Sequence, residues 1–317
     1  MNKPNFLYSG IKELAKNVTG QENIYLGIRP YGFHAGNMST LVVYPYLLCQ
    51  ETKKQGTIPQ FSFFIFLNDW EQDGLAGPDV KKFPFNIHPQ RTTFQYLPSS
   101  EDPSKSMADY WSPKIIRKIS KVQEKFSQIK IKGIRNSEMK ENLIMKKHLL
   151  TTINHPELVA RVLQEHANRE ILDEPIVYAL AVCPTCKKVK GVTNITNEDD
   201  ITHICTSCSK VTKGNYEDFD YWFYHKPLAL PRLEIFDIDI CITGMDHYKE
   251  GDYVVRQKLI DIYKSKAKYP LTLYAPTILG ENGKVMGKSK ENAVNIEFEK
   301  LVNIIKKNSN SSKIQIN

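Results

Sequence analysis

The chain has 317 residues, 41% of them hydrophobic, enough to bury a substantial core in one large domain with insertions or in two smaller ones. No apolar run approaches a membrane span and the opening MNKPNFLYSG lacks the apolar stretch of a secretory signal, so the expectation is a cytoplasmic protein with no membrane partner. The net charge of +8 permits a nucleotide or nucleic-acid partner without demanding one, while four of the six cysteines fall in two CxxC pairs and Cys49 and Cys241 lie in apolar surroundings, which argues against a disulfide framework.

Residues 1–20 read as an approach segment with a helical turn or two between Ile11 and Lys16. Ile24 to Ile28 is a short apolar run with the character of a buried parallel strand; it breaks at Pro30 and Gly32 and gives way to a helix from about Asn37 to Glu51. Leu41, Val42, Tyr44, Leu47 and Leu48 supply that helix with an apolar face, and Pro45 predicts a kink or a late start. A helix start offers unpaired N–H groups and a positive dipole end, and the turn sets His34 and Asn37 beside them, so a polyphosphate could be held there; an ordinary βα turn has the same local pattern. Phe61 to Leu67 (FSFFIFL) has the continuous apolar character of a strand covered on both faces. Strand, helix, strand opens a parallel α/β sheet. The acidic group Asp69, Glu71 and Asp73 just beyond the second strand could hold a cationic substrate group or form a solvated loop, and Gly74 to Asp109 reads as one long loop.

Ser112 and Pro113 mark a helix start, followed at helical spacing by Ile115, Ile116, Ile119, Val122, Phe126 and Ile129; two further amphipathic patterns run through Leu143 to Leu150 and Leu158 to Leu163. His148, His155 and His166 in this block read as surface or capping residues. A strand, Ile176 to Val182, leads into Cys183-Pro-Thr-Cys186 and, after Lys187 to Ile204, Cys205-Thr-Ser-Cys208. Two such turns complete a closed tetrahedral four-sulfur shell suited to structural zinc, with His203 a conceivable but unneeded replacement ligand. Ile235 to Ile242 reads as another strand, delivering Thr243-Gly244-Met245-Asp246-His247 at its carboxyl end. There a glycine permits close approach of a flat ligand, while Asp246 and His247 could bond ribose hydroxyls or a phosphate. A helix, Gly251 to Ser265, and a strand, Leu271 to Ala275, precede a glycine-flanked basic loop, Gly283 to Lys290, whose ammonium groups could close over a triphosphate. The tail from Asn308 reads as disordered.

Taken in order, these stretches resemble the catalytic domain of a class I aminoacyl-tRNA synthetase, most of all the class I lysyl-tRNA synthetases. The resemblance rests on His34-Ala-Gly-Asn37 for the HIGH-type motif, Asp69 to Leu75 for the acidic segment, the two CxxC pairs, Gly244-Met-Asp-His247, Met286-Gly-Lys-Ser-Lys290 for the KMSKS-type loop, and Pro98 to Tyr110. It departs where one residue instead of two separates Gly32 from His34, where Val285 and Gly287 leave Lys288 as the main loop lysine, and in reaching the end of the sequence soon after that loop.

The resemblance implies an α/β, Rossmann-like (HUP-type) parallel sheet with a helical and a zinc-ribbon insertion. Its halves would be residues 1–110 and 216–305, the insertions 111–175 and 176–215, with a tail at 306–317. It implies that His34, Asn37 and Lys288 serve catalysis, and that Gly27, Pro30, Gly36, Gly244, Asp246, His247, Met286 and Ser289 hold ATP with Mg2+. Tyr25, Asp69 and Asp73 would meet the amino acid, and Cys183, Cys186, Cys205 and Cys208 a structural Zn2+. The implied reaction is in-line attack of an amino-acid carboxylate, lysine or a relative, on the α-phosphorus of ATP, a reaction that relies on positioning rather than a protein nucleophile. The acceptor would be a tRNA acceptor end or another amine or hydroxyl; the alternative is a catalytically inactive nucleotide- or RNA-binding module.

Overall fold

The computed structural model describes residues 5–71, 92–167, 177–280, 283 and 296–316. Strand β1 (Asn5–Phe6) runs into helix α1 (Leu7–Leu14), and β2 (Asn23–Ile28) is followed by α2 (Ala35–Met38), a π-helical stretch Ser39–Val43, and α3 (Tyr44–Lys54). Next come β3 (Ser62–Leu67), α4 (Met107–Lys125) and β4 (Lys130–Arg135). The middle of the chain holds α5 (Leu143–Asn154), α6 (Pro156–His166), β5 (Ala179–Val182), β6 (Gly191–Asn197), β7 (Asp200–Cys205), β8 (Val211–Gly214), β9 (Asp220–Phe223) and α7 (His225–Ile235). Then follow β10 (Ile240–Gly244), α8 (Met245–Lys249), α9 (Asp252–Ile262), β11 (Leu271–Ala275), β12 (Thr277–Leu279), α10 (Phe298–Lys307) and β13 (Lys313–Gln315).

The main sheet is parallel throughout, in the order β1-β11-β10-β2-β3-β4. From β2 the chain winds outward through β3 to β4, and from β10 it winds the other way to β11, so β2 and β10 meet at the point where winding reverses. Ligands of open α/β sheets sit in the crevice at the carboxyl ends of such a strand pair. Strand alternation divides the core accordingly. Ile24, Leu26, Ile28, Phe63, Ile65, Leu67, Ile240 and Ile242 face α1, α3, α4 and α10, whereas Phe66 and Cys241 face the opposite layer containing α5, α7 and α9.

Several local expectations gave way to tertiary context. The first long helix contains a wide turn in which Tyr44 N–H reaches back to the Ser39 carbonyl, and α3 follows from Tyr44 with Pro45, which has no N–H to donate, in its first turn. Helix α4 starts at Met107, not Ser112: Ser106 caps it by accepting from the Asp109 N–H at 3.1 Å, and Pro113 is accommodated inside the helix. The helical pattern expected through Ile129 ends at Lys125, and β4 follows as an edge strand whose exposed lysines leave it without a strong apolar run in the sequence. Gly133 lets α4 lie close to this strand; a Cβ there would stand 2.3 Å from Ile116 Cδ1. The block expected as a helical insertion over 111–175 therefore divides, its first part completing the main sheet. The strand expected at Ile235 begins at Ile240, after α7. The tail is ordered through residue 316: β13 pairs in parallel with β12, burying Ile314 and Ile316.

Asp69 shows how the sheet's end is locked. Its carboxylate, fully buried, accepts from the N–H groups of Asn136 (2.9 Å) and Ser137 (3.3 Å) and from the Ser137 hydroxyl (2.5 Å), tying the segment after β3 to that after β4. Burial raises its pKa to about 6 against the opposing pull of these hydrogen bonds, so its contribution is greatest when it is protonated and is lost as pH rises through about 6. Replacing Asp69 by Ala leaves two N–H groups without their acceptor and is expected to cost about 2–3 kcal/mol, measured by urea unfolding at about pH 4, with a smaller cost at neutral pH. Asp69→Asn, which keeps an acceptor and removes the titration, should cost under about 1 kcal/mol. Equal losses for the two variants would refute this account.

Candidate active site

A cavity of about 800 Å3 opens at the carboxyl ends of β2 and β10. Tyr25, Gly27, His34, Gly36, Asn37, Gly244, Asp246 and His247, distant in sequence, all line it. Pro30 is buried outside its wall, and Asp69 serves the sheet as described, so neither takes the ligand-facing position expected for it. Asp73, Met286, Lys288 and Ser289 lie outside the described residues.

On the β2 side the wall is a helix start. His34 Nδ1 accepts the Gly36 N–H at 3.1 Å, and Asn37 Oδ1 accepts the His34 N–H at 3.2 Å, a reciprocal capping box that holds both side chains. The two bonds also define what is left over. With Nδ1 occupied as an acceptor the neutral imidazole carries its proton on Nε2, and with Oδ1 occupied Asn37 keeps its amide NH2 as a donor. Burial pushes the His34 pKa down, favouring this neutral form. Gly36 keeps the turn uncrowded, since a Cβ there would stand 3.0 Å from the His34 ring. The floor is set by Gly27, where a Cβ would meet the Tyr25 ring at 3.1 Å.

Across the cavity Gly244 ends β10 and precedes α8, and a Cβ there would stand 2.3 Å from Asp246 Oδ1. His247 Nδ1 lies 2.5 Å from Asp252 Oδ2, and Asp252 is also paired with the buried Lys226. His247, Glu250 and Asp252 could together ligate a cation, but the Lys226 ammonium already serves both carboxylates, with Glu250 at 3.9 Å.

Further wall residues emerge only from the fold. Arg29 and Glu71 form an ion pair at 2.5 Å, and Glu71 holds the guanidinium in its charged form. Arg256, on α9, faces the same space. Arg232, fully buried on α7, donates to the Tyr25 phenol oxygen at 2.7 Å, to Asn68 Oδ1 at 2.5 Å and to Asn136 Oδ1, so one cation orients two residues of the wall, Tyr25 and Asn68. Nothing in its local sequence, LALPRLEIF, marks this arginine out from a surface one.

The two CxxC turns meet at the root of an antiparallel three-stranded ribbon, β6-β7-β8. The chain after each pair turns through a left-handed residue, Lys187 (φ 57°) and Ser209 (φ 57°), and Cys183 and Cys205 each donate their N–H to a carbonyl five residues on, at Lys188 and Lys210. All four sulfurs lie within 4.8 Å of one another, with Cys183–Cys208 and Cys186–Cys205 at 3.6 Å. A tetrahedral Zn2+ with Zn–S bonds of about 2.3 Å needs sulfur separations of about 3.8 Å, so the four residues fit the ion. His203 is not among them; buried, with its pKa pushed down to about 4, its Nδ1 meets Thr193 Oγ1 at 3.1 Å.

A doubly wound parallel sheet with a helix start and a glycine-bearing strand end facing each other at its reversal point defines an α/β protein of the Rossmann-like class. Residues 10–311 match the family model described as tRNA synthetases class I (K), and the chain belongs to that family. No curated protein matches it. Among solved structures it is similar to an Archaeoglobus fulgidus tyrosyl-tRNA synthetase complexed with L-tyrosine (14% identity over 90% of this chain and 64% of that one, TM-score 0.42). It is also similar to a Leishmania major tyrosyl-tRNA synthetase in complex with tyrosinol (13%, 93% and 34%, 0.42) and to a glutamate tRNA ligase from Elizabethkingia meningosepticum (12%, 86% and 52%, 0.37). The chain thus spans between about a third and two thirds of these relatives. Among the described residues no helix is long and apolar enough to cross a membrane.

Proposed function

We propose that the protein activates an amino acid with ATP, forming an aminoacyl-adenylate and releasing pyrophosphate, and passes the aminoacyl group to the 3′ end of a tRNA. The reading is carried by one observation: the neutral His34, the Asn37 amide and the helix start face Gly244, Asp246 and His247 across a single cavity. ATP lies between them, its phosphates against His34, Asn37 and the backbone N–H groups, its ribose toward Asp246 and His247. An amino-acid carboxylate oxygen attacks the α-phosphorus; the new O–P bond forms as the bond to the bridging oxygen breaks, and pyrophosphate takes the electron pair. Mg2+ enters with the phosphates, and Lys288 neutralises the leaving group.

Lysine is the proposed amino acid. The K in the family description supports it, as do four carboxylates in the cavity wall (Glu71, Asp246, Glu250 and Asp252) against three fixed cations (Arg29, Lys226 and Arg256) among the described residues. The Arg29–Glu71 pair stands where a side-chain ammonium could share the Glu71 carboxylate. The test is ATP–pyrophosphate exchange with each of the twenty amino acids in turn. Exchange with lysine alone, abolished in Lys288→Ala, is the expected result; exchange with another amino acid would refute lysine, and exchange with none would refute the activity.

A further inference from the structure

The outward face of α4 carries Lys114, Arg117, Lys118, Lys121 and Lys125, all exposed. At about 100° per residue the five fall within an arc of about 100°, and Ile115, Ile119 and Val122, on the adjoining side of the helix, pack into the core. Among the described residues none of the five forms an ion pair, and none has an interaction beyond three ring contacts made by Lys114 and Lys118. The helix holds just two carboxylates. Asp109 is taken by Arg135 at 2.6 Å, and Glu124 flanks the far end of the stripe. Like charges three and four residues apart repel on a helix. The stripe therefore weakens the element that bears it with no compensating partner among the described residues, and its return is sought in a ligand.

Its position indicates what that return is. Lys118 Nζ stands 5.2 Å from the centre of the Phe33 ring, and Phe33 directly precedes His34 in the cavity wall. The cationic face thus passes beside the candidate active site at Lys118 and extends from Lys114 to Lys125, over about 17 Å of helix. In a nucleic-acid duplex that length spans about five phosphates of one strand. We infer that this face of α4 is a track for the sugar-phosphate backbone of an RNA whose 3′ end enters the cavity. The inference rests on the proposed function only for which RNA is bound.

The other polyanion of this kind, an anionic membrane, is disfavoured because an interfacial helix turns its apolar face to the lipid. Here the apolar face of α4 is buried and no large hydrophobic side chain on the helix is exposed.

The test is fluorescence anisotropy with a short labelled RNA hairpin bearing a single-stranded 3′ end, measured from low to moderate salt. Wild type is expected to bind with a salt slope that falls by about one per lysine removed. The triple variant Lys118→Gln/Lys121→Gln/Lys125→Gln should lose affinity more than tenfold at ~0.1 M salt, whereas Lys258→Gln/Lys264→Gln/Lys266→Gln, on the opposite side of the sheet, should bind like wild type. Circular dichroism and Tm establish that both variants are folded. Equal binding and slope in wild type and the α4 variant would overturn the track. So would a wild type that ignores the hairpin but binds phosphatidylserine vesicles. Binding through α4 by a protein that exchanges no pyrophosphate would uphold the track and refute amino-acid activation instead.

Discussion

Replacing Cys183 by Ser is expected to abolish zinc retention and to unfold the ribbon from residue 183 to 214 while the main parallel sheet persists. The ribbon has little else to hold it. Between the first and last of its cysteines, Val189, Ile201 and His203 are buried, but Val192 and Ile204 are exposed, as is Val211 beyond them. A three-stranded sheet with so small a core cannot meet its own ordering entropy. Structural zinc in comparable small modules supplies about 10–16 kcal/mol of apparent binding energy, nearly all of it folding energy, and loss of one sulfur removes several kcal/mol of that. Beyond the ribbon the damage should reach only its anchoring points: Thr193 Oγ1 accepts the Ala181 N–H at 3.0 Å, Thr92 donates its hydroxyl to the Lys187 carbonyl, the Glu198 carbonyl accepts the Tyr216 N–H at 2.8 Å and its carboxylate pairs with Lys146 at 2.6 Å, none of them in the main sheet. The checks are metal content by mass spectrometry and hydrogen exchange by segment. One zinc per chain and unchanged protection over 183–214 in the variant would show that the four sulfurs are not the metal site.

His34→Ala is expected to lower pyrophosphate exchange by about 10²–10³-fold, the size of effect seen when a single preorganised donor to developing charge is removed. The same change also removes a helix cap, worth about 1 kcal/mol, because Nδ1 accepts the Gly36 N–H. His34→Asn separates the two roles: its amide oxygen can cap, but it brings no Nε2–H donor to the same place. Near-wild-type stability with strongly reduced exchange is the expected result for Asn. Full exchange in that variant would remove His34 from the chemistry. The pH dependence has a definite sign. Burial lowers the His34 pKa, so its contribution to stability is present above the unfolded value near 6.5 and is lost as pH falls through the lower folded value. Urea unfolding between neutral and mildly acidic pH should show wild type losing stability on acidification faster than His34→Asn.

Wherever the local pattern was self-contained, the residues alone were informative. Ile24 to Ile28 followed by a turn with His34 and Asn37 specifies strand, turn and helix start from side-chain period and backbone chemistry, and two CxxC turns specify a tetrahedral thiolate site from ligand geometry. The family resemblance rested on these short stretches, and the match over residues 10–311 agrees with it. The wall of the cavity was legible to the same degree: eight of the expected residues meet there because each is attached to the carboxyl end of β2 or β10.

What the tertiary structure alone decided concerns groups whose role depends on what is brought against them from far along the chain. Asp69 has the sequence context of a substrate-facing acid, but the arrival of Asn136 and Ser137 encloses its carboxylate among backbone donors. Arg232 reads as an ordinary helix residue and becomes the fully buried cation that orients Tyr25 and Asn68, over two hundred residues away from Tyr25 in sequence. Strand β4 and the residues of β13 lack a long apolar run, and only pairing with a neighbour already in place satisfies their backbone groups and buries Ile134 and Ile314. The division has a physical cause. Periodicity, turn chemistry and ligand spacing act over a few residues and are written in the sequence directly, whereas burial and long-range hydrogen bonding are properties of an environment that exists only once the sheet has closed.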